Sequence, residues 1–194
     1  MLMLTGLERI HPARPVHVDF LDRMPAAAVQ EFHRERMRAA AGLKAADPYQ
    51  AVTRTVLATE GQRVVGGLRL IVREPWCEWK LPMERCCEGL SLPKLFPELP
   101  LDAEAHGELI PILGAGYDEE VTERLWGFLC ESYRAMAGLK YVFSVAGASK
   151  QRMHRRLAQQ HDVRCAERPL PDAPEPRWFL PRDPLTVQAY VFER

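Results

Sequence analysis

The chain has 194 residues, of which 47% are hydrophobic and 27% charged, and its 26 basic side chains balance 26 acidic ones. That length suits one globular domain able to bury a core without disulfides or a metal. The zero formal charge speaks against a general nucleic-acid binder, which carries a basic excess.

The first expected element is a helix from about Pro25 to Ala41. Proline suits a helix start, where its missing N–H would have no partner anyway. Val29, Phe32 and Arg36 keep helical spacing with Met37 close by, His33, Arg34, Arg36 and Arg38 make the helix basic, and Gly42 is the expected stop. A hairpin follows. Ala51 to Thr59 is rich in β-branched residues, Glu60-Gly61-Gln62 makes the turn, and Arg63 to Arg73 is a strong strand. Within it, Gly66-Gly67 marks a bulge or a close approach by another group. Glu74 to Ala105 reads as irregular, with Pro75, Pro82, Pro93, Pro97 and Pro100 among Trp76, Trp79 and Phe96. It is too long for an ordinary connection and too aromatic for free disorder, so it is functional or partly self-packed.

Gly107 to Leu113 reads as a short apolar strand. Pro111 removes a ladder donor there, which predicts an edge, a bulge or a splayed strand. Gly114 and Gly116 form a loop. Asp118 to Ala137 is the strongest helix. Asp118, Glu119 and Glu120 complement the dipole at its start. Val121, Leu125, Phe128, Leu129, Ser132 and Met136 form one stripe, and Gly138 is the cap. Tyr141 to Val145 is a buried strand, Lys150 to Gln160 a helix with Met153 and Leu157 facing inward, Val163 to Glu167 a short strand and Leu185 to Phe192 the last one. The early hairpin implies antiparallel pairing and the later strand–helix–strand units imply parallel pairing. The expected class is therefore α/β (α+β): a mixed, mostly antiparallel central sheet flanked by helices, in a single domain over residues 1–194.

The five cysteines, Cys77, Cys86, Cys87, Cys130 and Cys165, fit no disulfide or zinc spacing and read as reduced thiols. His33, His106, His154 and His161 show no metal-ligand spacing, so no metal is expected. The first residues lack the basic region of a signal peptide, and no apolar run approaches a membrane span. A soluble, cytoplasmic protein is expected.

Four stretches carry a resemblance, through their order and spacing. They are Asp47-Pro-Tyr49 before the hairpin, Gly66-Gly-Leu-Arg69-Leu within it, Glu108-Leu-Ile-Pro-Ile-Leu on the third strand, and Ser149-Lys-Gln-Arg-Met153-His-Arg-Arg-Leu157 on the late helix. Together with the element order, they resemble the GNAT fold over most of the chain. Within it they resemble the branch of acyl-homoserine-lactone synthases and long-chain N-acyl amino acid synthases. The chain departs from that branch at Gln50, where a second aspartate would stand, and at Pro111, where an arginine would follow the glutamate. No Arg/Gln-x-x-Gly-x-Gly pyrophosphate loop follows the third strand. That shifts weight from ordinary acetyl-coenzyme A toward acyl-carrier or atypical donors.

The resemblance implies N-acyl transfer from an acyl thioester, either acyl-CoA or an acyl-carrier protein, to a small-molecule amine, with no permanently bound cofactor. Such chemistry needs a base for the amine, N–H donors for the oxyanion and an exit for the thiolate. Glu108 is the candidate base or amine-orienting group; otherwise it is a solvent-exposed carboxylate at a strand end. Arg69 pairs with Asp47 or an anionic substrate, or points outward from an alternating strand. Asp47 and Tyr49 orient the amine, or simply make an Asp-Pro turn. Arg152, Arg155 and Arg156 share a helix face by spacing and would meet a coenzyme A phosphate or an acidic carrier; otherwise they are solvated. Asp118, Glu119 and Glu120 would repel a phosphate at the Gly114–Gly116 loop. The alternative for the whole chain is a non-catalytic GNAT-like module that binds a ligand or partner.

Overall fold

The computed structural model describes residues 15–39, 47–87, 89–112, 119–135, 139–170 and 184–192. Gly42, Leu113, Gly114, Gly116, Asp118, Met136 and Gly138 lie outside the described residues, as do the side chains of Arg36, Met37 and Arg38.

Seven strands make one sheet in the order β1-β2-β3-β4-β5-β7-β6. They are β1 (Val16–Phe20), β2 (Thr53–Glu60), β3 (Arg63–Arg73), β4 (His106–Ile112), β5 (Tyr141–Gly147), β6 (Arg164–Pro169) and β7 (Leu185–Val191). Every neighbouring pair is antiparallel except β4 and β5. Strand β1 was not among the sequence expectations. Its V-H-V-D-F alternation is nonetheless a half-buried edge pattern, with Val16, Val18 and Phe20 packed against the main core.

The helices divide between the two faces. Helices α4 (Glu119–Ala135) and α5 (Ala148–Gln160) cover one. Val121, Leu125 and Leu129 recur every four residues and are buried with Trp126, Cys130, Tyr133, Leu157 and Ala158 against Val56, Leu68, Leu70, Leu109 and Val142. Each fully buried side chain of this size contributes roughly 1.5–3 kcal/mol. The other face takes α1 (Ala26–Ala39), whose Ala28 and Phe32 pack on Leu57. It also takes the segment expected to be irregular. That segment folds onto Ile71, Tyr141, Phe143, Val187 and Ala189 through Leu81, Met83, Leu90, Leu92 and Phe96. It contains two short helices, α2 (Pro82–Cys86) and α3 (Leu92–Leu95). Alternate strand residues thus serve opposite cores, as the period of two requires.

Both readings of the glycine pair hold. The β2–β3 register shifts between Ala58 and Thr59, opposite Val64–Gly66, and a Cβ on Gly67 would lie 3.0 Å from both the Val56 carbonyl oxygen and Leu57 Cδ2. The five cysteines are free thiols. No helix among the described residues is long and apolar enough to cross a membrane.

Candidate active site

The parallel junction of β4 and β5 covers three register pairs, His106 with Tyr141, Gly107 with Val142 and Glu108 with Phe143. Beyond them β4 stays paired to β3 as far as Ile112 and β5 to β7 as far as Gly147, so the sheet opens between its two central strands. Pro111 falls in this unpaired stretch, where its missing N–H breaks no β4–β5 bond. On the α4/α5 face the opening leads into a cavity of about 220 Å³, lined by Leu109 and Pro111 of β4, Ser144 and Val145 of β5, and Trp126, Lys150 and His154 of the helices.

Glu108 sits on the opposite face, at the base of the opening. It is not a solvent-exposed strand end: it is 6% exposed because α2 lies over it, and one carboxylate oxygen accepts the Met83 N–H at 2.8 Å. Burial pushes its pKa up to about 7; the Met83 hydrogen bond opposes this, and the Glu84 charge adds to it. Glu84 is buried as well but better supplied. Its oxygens accept the N–H groups of Leu81 at 3.2 Å and Leu92 at 3.1 Å, and Arg73 pairs with it at 3.3 Å. One carboxylate therefore satisfies the starts of both short helices. His106, two residues before Glu108 and on the same face, donates from Nδ1 to the Glu104 carbonyl at 3.1 Å. Among the described residues its buried Nε2 has no hydrogen-bond partner, and burial lowers its pKa.

Arg69 stands opposite Ile110 in the β3–β4 register, while Glu108 stands opposite Ile71, which makes Arg69 and Glu108 diagonal neighbours on one face. Arg69 does not point outward to solvent. It pairs with Asp47 and donates to Thr53 Oγ1 at 3.2 Å. Asp47 also makes the turn, accepting the Tyr49 N–H on Oδ1 at 3.0 Å. Tyr49 donates its hydroxyl to the Lys80 carbonyl at 2.9 Å and packs edge-on against Trp79. Tyr49, Trp79 and Lys80, with Pro48, Val52 and Arg85, line a second cavity of about 440 Å³. The structure therefore gathers Asp47, Tyr49, Arg69 and Glu108 on one face, although Asp47 and Glu108 are 61 residues apart in the chain.

The arginines of α5 diverge. Arg155 reaches β6 and pairs with Glu167, whereas Arg156 reaches α4 and pairs with Glu119 and with Glu123. Arg152 is exposed. Spacing alone put them on one face, but long side chains follow the carboxylates on either side.

Sequence reasoning missed the buried polar group behind the first cavity. Ser144 Oγ lies 3.0 Å from the Tyr190 hydroxyl, which lies 3.0 Å from Gln188 Oε1 and 3.2 Å from His154 Nδ1. Burial lowers the His154 pKa to about 4, opposed by the Gln188 hydrogen bond and aided by Lys150. The available signal was the position of His154, three residues before Leu157 on the inward stripe of α5.

No protein-family model and no curated protein matches the sequence. Solved structures do match. FeeM, an N-acyl amino acid synthase from uncultured soil microbes, is similar at 10% identity with a TM-score of 0.57, over 92% of this chain and 91% of that one. The acyl-homoserine-lactone synthase LasI is similar at 13% identity and a TM-score of 0.54, over 92% and 90%. An acetyltransferase of the GNAT family from Streptococcus pneumoniae is similar at 11% identity and a TM-score of 0.51, over 91% and 99%. The seven-stranded sheet, its open β4–β5 junction and these three likenesses agree: the chain has the GNAT fold.

Proposed function

We propose that the chain is a single-domain N-acyltransferase that moves an acyl group from a thioester, acyl-CoA or an acyl-carrier protein, to a small-molecule amine. The observation that carries this reading is the opening between β4 and β5, with an apolar cavity on one side and a carboxyl group of pKa about 7 on the other. A base poised near neutral pH suits an amine that must lose a proton as it attacks.

In this reading the donor's thioester lies in the opening, and the amine comes from the face of Asp47, Tyr49 and Arg69. The amine nitrogen forms a bond to the thioester carbonyl carbon, and its proton passes to Glu108. The oxyanion meets a backbone N–H on the side of β4 left open toward β5, where Pro111 supplies none. The C–S bond then breaks, and the departing thiolate takes a proton from solvent. The donor's anionic end meets the start of α5. There Arg152 is the arm we assign to it, since Arg155 and Arg156 would each first release a carboxylate. The fold also serves a second reading, a non-catalytic binding module, and the Met83 N–H seated on Glu108 favours it.

The test is thermal shift and intact-mass analysis with a panel of acyl-CoA and acyl-carrier-protein thioesters, followed by turnover with amines. Stabilisation by donors, and turnover that Glu108→Gln lowers by at least about a hundredfold, support the transferase. A folded protein that turns over no donor, whether or not it binds one, refutes the transferase and supports the binding module.

A further inference from the structure

The hydrogen bonds behind the β4–β5 cavity fix their own direction. Gln188 Nε2 lies 2.9 Å from Glu167 Oε1 and 3.2 Å from the Gln151 carbonyl. Both partners are acceptors, so that end of the amide is the nitrogen. Oε1 must then be the atom 3.2 Å from His154 Nδ1. A carbonyl oxygen only accepts, so Nδ1 carries the hydrogen and Nε2 the lone pair. The Tyr190 hydroxyl donates to the same oxygen at 3.0 Å, which leaves its own oxygen to accept from Ser144. Glu167 anchors the chain. Burial alone would raise its pKa, but hydrogen bonds from Arg155, Gln188 and Gln151 outweigh that and hold it below the usual value.

His154 is 5% exposed. With Nδ1 turned to Gln188 and Tyr190, its other ring edge is left to the cavity it lines. Nε2 therefore presents a bare acceptor to a cavity whose walls are mostly apolar, Leu68, Leu109, Leu125, Trp126 and Val145, beside the hydroxyl-bearing Thr122 and Ser144. A ligand there must bring a hydrogen-bond donor, since burying the lone pair without one is costly. Lys150 lines the same cavity and disfavours a protonated amine. A neutral secondary amide fits both conditions. The pantetheine arm shared by coenzyme A and carrier proteins has that chemistry.

We propose that His154 is a specificity-determining residue that accepts a hydrogen bond from an amide N–H of the donor's pantetheine arm. The chain Arg155–Glu167–Gln188 acts behind it as a positioning device that fixes its tautomer. The proposal rests on the acyltransferase reading. It gives Arg155 a role at the donor site that needs no contact with the donor.

Long-range proton–nitrogen spectra of the full chain with labelled histidine, at pH 7, read the tautomer directly. The expected result is a protonated Nδ1 and a bare Nε2 whose resonance moves on titration with pantetheine or acyl-CoA. Adenosine 3′,5′-bisphosphate, which lacks the arm, should leave it in place. Glu167→Ala should mix the tautomers. His154→Leu should weaken pantetheine about three- to tenfold, the usual range for one neutral hydrogen bond, with no loss for an analogue whose amides are N-methylated. A protonated Nε2, or an Nε2 signal that stays put while acyl-CoA saturates the protein, overturns the proposal and leaves the acyltransferase reading standing. If pantetheine, acyl-CoA and acyl-carrier protein all fail to bind, that reading falls and the proposal falls with it.

Discussion

The sheet carries a buried polar centre on each face, and the two are made of different materials. Beneath α2, two carboxylates are buried side by side, Glu84 at 5% exposure and Glu108 at 6%. Glu84 has a guanidinium and two backbone N–H groups; Glu108 has a hydrogen bond to the Met83 N–H. Beneath α5, an imidazole, a phenol, a hydroxyl and an amide satisfy one another. Burial drives Glu108 and His154 in opposite directions on the pH scale, yet toward the same neutral state. The contrast teaches that groups buried to the same depth differ in the number and kind of partners that answer their charge.

The largest expected effect comes from removing the better-supplied carboxylate. Glu84→Ala leaves Arg73 with the Cys77 carbonyl at 3.2 Å but no carboxylate, and leaves the Leu81 and Leu92 N–H groups without this acceptor. Loss of one partner from a buried pair costs about 3–5 kcal/mol, and because Arg73 is 20% exposed the expected loss is about 3 kcal/mol. Urea denaturation measures it. A loss under about 1 kcal/mol would mean that the 74–105 segment is held by its apolar contacts alone.

The two neutral-seeking groups should oppose each other in the pH dependence of stability. Glu108 rises from an ordinary 4.5 to about 7 in the folded state. Between those values the folded state holds more protons than the unfolded one, so this group makes stability fall as pH rises. His154 drops from 6.5 to about 4. There the unfolded state holds more protons, so stability rises with pH across that window. Each swing is on the order of 3 kcal/mol, and between pH 4.5 and 6.5 they largely cancel. Glu108→Gln should unmask the rise and leave a protein more stable than the parent at pH 8. His154→Gln should unmask the fall. Denaturation midpoints from pH 4 to 8 check both, and parallel curves for parent and Glu108→Gln would refute the buried-acid account.

Much of this architecture was legible in the sequence. β3 runs from Arg63 to Arg73 as its pattern indicated, and Pro111 pointed to a splayed strand because a missing donor is tolerated only where no ladder bond is due. The residues that make the site work were harder to read. Glu108 looks like any strand-end carboxylate until α2 is known to lie over it, and that packing depends on Leu81 and Met83, 25 or more residues upstream. Of the His154–Gln188–Tyr190 group, only the position of His154 on the inward stripe of α5 left a signal. The group's members come from α5 and β7, and hydrogen-bond direction is a property of three-dimensional neighbours with no periodic trace in a sequence. Arg155 and Arg156 were placed on one face by spacing, but the carboxylates that separate them lie on β6 and α4.

A smaller effect tests the strand between the two centres. Gly107 lies in the last paired stretch of β4 and β5, where a Cβ would be 2.8 Å from Leu70 Cδ1 and 2.9 Å from the Ile71 carbonyl oxygen. The backbone oxygen cannot rotate away. Gly107→Ala should therefore cost about 2 kcal/mol, and donor affinity should fall as the opening shifts. Full donor affinity in that variant would show that the opening tolerates movement of β4.

The smallest effects on stability, and the sharpest on the donor side, belong to the arginines of α5. Arg156 bridges to Glu119 and Glu123 at the surface, so Arg156→Ala should cost no more than about 0.5 kcal/mol, and Arg152→Ala less still. Both should weaken a phosphate-bearing donor, for different reasons. Without Arg152 the donor loses an attraction. Without Arg156 it faces Glu119 and Glu123 with their charges no longer offset. Adding Glu119→Gln should therefore restore affinity to the Arg156 variant and do little for the Arg152 variant, and salt should shrink both losses. Equal rescue of the two variants would mean that the arginines act only through the general field around the helix, and the assignment of Arg152 to the donor would then be lost.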